Sequence, residues 1–208
     1  MLSLILDQSI DYPDGEDFFS PDERFPEYRF DQISRRKNPV YRAVRDCFLQ
    51  ANLDHEHIGS PAWNPLGEYI PPGSRVFVLC NFAHERRPEE NAKDFLSRCT
   101  HGSVIRAVID YILIAVGQNG TVRFGNAPTQ FGRWEQVLAN TGANNTLEFY
   151  QKNHCPVEVR DLRFFVMDAT HIGAVRSVER RDESCAARID LDGHSMFNEF
   201  DEKGDQQY

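Results

Sequence analysis

An α/β domain built on a parallel strand–helix–strand unit is the fold class that three segments predict. Residues 75–80 (Arg-Val-Phe-Val-Leu-Cys) contain a continuous apolar run of strand length, and residues 104–116 carry a broad apolar helical face. Residues 121–124 then follow Gly120 as a second short strand. A run such as 75–80 suits a strand buried on both faces, as parallel strands are. Strand, helix and strand in that order imply a right-handed crossover. The expected architecture is therefore a Rossmann-like, three-layer α/β domain with an extended N-terminal arm.

The other elements follow from local signals. Asn38-Pro39 opens a helix, because Asn caps free amides and Pro at the first helical position loses no needed N–H. Tyr41, Val44, Phe48 and Ala51 continue it at helical spacing, and residues 52–54 end it. Ser103 can cap the central helix, whose face is Val104, Ile105, Val108, Ile109, Ile112, Leu113 and Val116. A further helix is expected over 134–140, and further strands over 157–159 and 164–167. The apolar start, residues 1–6, reads as an opening strand. Residues 1–37 otherwise form an arm whose aromatics, Tyr12, Phe18, Phe19, Phe25, Tyr28 and Phe30, pack on the domain surface or gather round a ligand. The organisation is an arm and helix over 1–72, an α/β core over 73–198 and a flexible acidic tail over 199–208.

Bulk composition narrows the function. The 208 residues are 40% hydrophobic and 26% charged, as suits one folded domain. The longest apolar stretch, 111–116, is far short of the roughly 20 residues that cross a bilayer. A net charge of −9 opposes nucleic acid and anionic membranes. The clusters Arg35-Arg36-Lys37 and Arg86-Arg87 read as solvated surface. Five widely spaced cysteines, Cys47, Cys80, Cys99, Cys155 and Cys185, suggest reduced thiols in a cytoplasmic protein rather than a disulfide framework. The sequence contains neither a P-loop, nor Gly-x-Gly-x-x-Gly, nor Gly-x-Ser-x-Gly, which weakens nucleotide hydrolysis, a common dinucleotide site and a serine hydrolase.

A site is expected at the carboxyl ends of the two parallel strands, where open α/β sheets bind ligands. These ends are Cys80-Asn81 and 125–128, and the long loop 81–102 delivers Thr100-His101 to a helix start that favours an anion. The candidates are His101 as acid/base or anion contact, with Asn81, Asn126 and Gln130 orienting a small anionic ligand. The same residues also fit a structural reading, in which the asparagines close turns and His101 sits at a helix start. Cys80, His84, Cys99 and His101 are a possible tetrahedral metal set, although their spacing matches no zinc-ribbon pattern. His55-Glu56-His57 reads as a solvated loop.

Residues 63–67 (Trp-Asn-Pro-Leu-Gly), Pro72-Gly73 with 76–81, the stretch 100–111 (Thr-His-Gly-Ser-Val-Ile-Arg-Ala-Val-Ile-Asp-Tyr) and Ala127-Pro128 with Gln130 resemble the domain of unknown function 362 family. Weaker similarity covers 26–28, 38–41, 158–163 and 189–191. The resemblance implies a cytoplasmic α/β domain, encoded near biosynthetic genes, and no single reaction follows from it; one expectation is an enzyme, or part of one, acting on or binding an anionic metabolite or sugar intermediate. Some relatives carry iron–sulfur modules that this sequence lacks. Two departures matter. Family members end the first strand with Lys-Pro-Asn, where this chain has Leu79-Cys80-Asn81. They place an Asp after the second strand, where this chain has Asn126. Neither Leu79 nor Asn126 can ionise, which favours a non-catalytic binding or partner module. The family's later segments are also missing after Tyr208, so a homo-oligomer or a second chain supplying a C-terminal part is expected.

Overall fold

The computed structural model describes residues 3–7, 10–169 and 175–180. Helix α1 (Pro39–Gln50) starts where its signal lies: Asn38 Oδ1 accepts the Tyr41 N–H at 3.1 Å and Pro39 fills the first turn. The 3₁₀ turn His55–His57 follows. Next come β1 (Arg75–Leu79), α2 (Ala92–Leu96), α3 (Gly102–Val116) and β2 (Thr121–Asn126). Helices α4 (Trp134–Thr141) and α5 (Ala143–Lys152) lead to β3 (Val157–Asp161), and β4 (Phe165–Ala169) pairs with β5 (Val175–Arg180) as a separate antiparallel ribbon. Residues 3–7 form no strand. The expected tail 199–208 and the last part of the expected core, 181–198, lie outside the described residues.

The main sheet is parallel in the order β1-β2-β3, with Val78 beside Phe124 and Phe124 beside Val159. It is an α/β, Rossmann-like arrangement. Helix α3 packs on β2, α5 on β3, and α3 and α5 on each other, so both crossovers share one face. That follows from topology: right-handed crossovers that step the same way along a sheet land on the same side. The layers therefore run from the sheet to α3 and α5, and then to α1 and the arm.

One expectation needs correcting. Strand β1 is not buried on both faces; its residues alternate between exposed and half-buried, with Phe77 42% and Leu79 72% exposed. Val76 and Val78 turn toward the helices, while the other face has no helix among the described residues. Arg123, Glu158 and Arg160 share that open side with Phe77 and Leu79.

The arm is also more than surface cover. Phe19, Phe25 and Tyr28 are 3–7% exposed and belong to the core. The cause is Arg106, whose side chain is wholly buried in the middle of α3. Its guanidinium pairs with Asp110 at 3.2 Å and donates to Phe18 C=O at 3.2 Å, Ser20 Oγ at 3.3 Å and Tyr28 Oη at 2.9 Å. The Phe149 ring lies 3.5 Å beneath it. Tyr41 and Tyr150 donate their hydroxyls to Asp110. A buried cation costs several kcal/mol unless its donors are satisfied, and here the arm supplies three of the four hydrogen-bond partners. Arg45 fixes the next stretch by pairing with buried Glu27 at 2.7 Å, which also accepts the Tyr111 hydroxyl at 2.8 Å.

Candidate functional site

Strands β1 and β2 bring Asn81 and Asn126 to neighbouring ends of the sheet. Asn126 donates its side-chain amide to Cys80 C=O and accepts the Ala127 N–H at 2.6 Å. Asn81 holds the two ends of loop 81–102 together. Its N–H reaches Thr100 Oγ1 at 2.8 Å, its side chain reaches Arg98 C=O at 2.9 Å, and its carbonyl accepts the Thr100 N–H at 2.8 Å. Phe82, Phe95 and Cys99 anchor that loop to the core, with Phe82 bridging to Cys99, while residues 86–89 and 91–94 are exposed.

His101 caps α3. Its Nδ1 accepts the Ser103 N–H at 3.2 Å and the Ser103 hydroxyl at 2.8 Å, which puts the ring proton on Nε2. The Val104 and Ile105 N–H groups both reach His101 C=O, at 3.0 and 3.2 Å. The helix-start amides that the sequence offered to an anion are thus used within the chain. The ring stacks on Tyr12 at 4.3 Å and meets Phe19 edge-on at 5.1 Å. A Cβ on Gly102 would stand 2.4 Å from Gly142 C=O, so only glycine lets the capped helix start meet the α4–α5 corner this closely.

Burial lowers the His101 pKa to about 4. A depressed folded-state value means that the unfolded chain binds the proton more readily. The resulting stability is present above the unfolded value of about 6.5 and is lost as pH falls toward 4. We expect a loss of about 3 kcal/mol across that window, measured by urea unfolding at a series of pH values. His101→Asn keeps a capping side chain without the titration and should flatten the profile. An unchanged slope in the variant would remove this role.

Gln130 lies in loop 127–133, which Arg163 clamps. Arg163 Nη1 donates to Thr129 C=O at 3.0 Å and Gly132 C=O at 2.6 Å, and its guanidinium forks onto Asp161 at 2.6–3.2 Å. Both side chains of this ion pair are almost fully buried. Glu85 adds a bond to Arg133. Gln130 Oε1 is buried without a hydrogen-bond partner. Two cavities, one of about 360 Å³ beneath Asp11–Asp14 and one of about 400 Å³ between Ile5, Ile10 and α1, are lined by none of Asn81, Asn126 and Gln130.

The metal set fails on geometry. Among the described residues no three His, Cys, Asp or Glu side chains are placed to hold a metal ion, so Cys80, His84, Cys99 and His101 do not converge on one. His84 Nδ1 lies 2.6 Å from Glu85 C=O, His101 Nδ1 serves its cap, and burial pushes the Cys80 thiol up to about 12. Cys47, Cys80, Cys99 and Cys155 are free thiols. Sequence reasoning missed the ion pairs Arg106–Asp110 and Arg163–Asp161. The first carried a signal: two opposite charges four residues apart inside an otherwise apolar helix.

No family model, curated protein or solved structure matches this chain. Among the described residues no helix is long and apolar enough to cross a membrane.

Proposed function

We propose that this chain is a non-catalytic binding or partner module, a diverged relative of the family it resembles, whose open sheet face is the contact surface. One observation carries the reading: a parallel sheet with one face that no helix among the described residues covers, bearing Phe77 and Leu79 at 42% and 72% exposure. Parallel sheets are ordinarily covered on both faces, and exposed apolar patches mark interaction sites. The polar groups at the strand ends support the same reading, because Asn81, Asn126 and His101 spend their hydrogen bonds on loop closure and capping. The proposed setting is the cytoplasm, which suits the free thiols.

A second reading keeps an anionic metabolite or sugar intermediate at the strand ends. His101 would act as acid/base, and Asn81, Asn126 and Gln130 would orient the ligand. The unpartnered Gln130 Oε1 favours it.

Native mass spectrometry of the chain isolated from its own cells separates the two. The partner reading expects a polypeptide bound to the wild type and absent from Phe77→Ser/Leu79→Ser, whose unfolding free energy stays within about 0.5 kcal/mol of wild type. A small ligand that disappears in Gln130→Ala and persists in the double variant would transfer the function to the second reading. A bare 24.0 kDa wild-type chain would contradict both.

A further inference from the structure

We infer that residues 10–14 are a hinged strap that gates His101, opening as one unit on the microsecond-to-millisecond scale while the rest of the fold stays closed. The gate stands independently of both functional readings.

The chain just after the strap is fixed. Gly15 C=O accepts the Asn145 side-chain amide at 3.0 Å, and Asp17 Oδ2 accepts the Ser34 hydroxyl at 3.0 Å and the Arg35 N–H at 2.9 Å. Phe18 and Phe19 then take φ values of 53° and 58°, a left-handed conformation that costs free energy in bulky residues. It persists because Arg106 holds Phe18 C=O at 3.2 Å, and Asn38 holds Phe19 C=O and Ser20 C=O at 2.8 and 3.0 Å. The strap therefore ends at a pinned pivot, Gly15.

Before Gly15 the anchoring is of a different kind. Among the described residues, the backbone of 10–14 makes one hydrogen bond, from the Ile10 N–H to Asp7 C=O at 3.4 Å. Asp14 meets Arg36, and Asp11 lies 3.8 Å from Lys93; both are exposed ion pairs, which hold little in water. The Tyr12 ring, 45% exposed, rests on the His101 ring at 4.3 Å. The 360 Å³ cavity lies beneath Asp11–Asp14, and Tyr12 also lines the 400 Å³ cavity beside α1. The strap thus bridges space where a packed segment would gain dispersion contacts. Few buried contacts and solvent-exposed anchors mark a segment that opens well below the free energy of global unfolding.

Pro13 makes the motion concerted. Its ring fixes its own φ and holds Tyr12 extended, so Tyr12 and Asp14 leave their partners together.

The consequence falls on His101. Its ring is buried between Tyr12 and Phe19, and Phe19 stays in place through its held carbonyl. With Nδ1 committed to Ser103, Nε2–H is the ring group that opening delivers to water or to a hydrogen-bond acceptor.

The test is nuclear magnetic resonance relaxation dispersion on the full chain. It is read at the Tyr12 and His101 rings, at the Asp11 and Asp14 amides, and at the Ile109 and Ile112 methyls of α3. The inference expects one exchange rate shared by residues 11, 12, 14 and 101, with flat profiles at Ile109 and Ile112. Asp14→Asn weakens one exposed ion pair, so it should raise the exchange contribution about two- to fivefold at an unchanged unfolding midpoint. Four results overturn the gate: no dispersion at the strap, strap dispersion that His101 does not share, a rate shared with Ile109 and Ile112, or no change in Asp14→Asn.

Discussion

Arg106→Met lowers the free energy of unfolding by about 3–5 kcal/mol, the usual cost of breaking a buried ion pair from one side. The size comes from what is left behind. Asp110 is buried, and without the guanidinium at 3.2 Å it keeps only the Tyr41 and Tyr150 hydroxyls. Burial already pushes the Asp110 carboxyl above its ordinary range against the pull of Arg106. In the variant it must take up a proton or remain an uncompensated charge. Phe18 C=O, Ser20 and Tyr28 lose their donor in the same step, so the arm loosens with α3. Arg106→Met/Asp110→Leu should cost less than the single substitution, because it removes both buried charges. Urea unfolding of both variants reads the difference. If the double variant is the less stable of the two, the ion pair is not what holds the arm.

Gly125→Ala should cost about 3 kcal/mol, at the large end of single substitutions. Gly125 lies in the middle strand opposite Arg160, and a Cβ there would stand 1.9 Å from Arg160 C=O. No side chain can swing away to make room, since the obstacle is backbone. The β2–β3 pairing would have to open. Because β3 brings Asp161 and Arg163 to loop 127–133, amide exchange in that loop should rise with the loss of stability. Wild-type stability in Gly125→Ala would show that the two strands approach less closely than described.

The fold was largely legible because its signals are local. The cap at Asn38, the apolar run of β1, the face of α3 and Gly120 before β2 each specify an element within a few residues. Helix α5 escaped the reading because Asn144, Asn145 and Glu148 dilute its apolar face; only Ala143, Thr146, Phe149 and Tyr150 at helical spacing mark it. The arm misled because Phe19, Phe25 and Tyr28 show no period. Their burial is decided by Arg106 and Arg45, far along the chain.

The strand ends show the same division. That Asn81 and Asn126 stand at adjacent ends follows from strand order, which the sequence carries. Their actual hydrogen bonds, to Arg98 and Cys80, depend on the return path of loop 81–102, which no short motif encodes. The sheet face left bare by the described residues was illegible for a related reason. An apolar run such as 76–79 reads as doubly buried, and only the winding direction shows that both crossovers fall on one side.

Amide exchange on the chain isolated from its own cells tests the contact surface most directly, with Phe77→Ser/Leu79→Ser prepared in the same way for comparison. The partner account predicts slower exchange in residues 75–79 of the wild type and equal exchange in residues 127–133 of both. Equal exchange at 75–79, or a difference confined to 127–133, would contradict it.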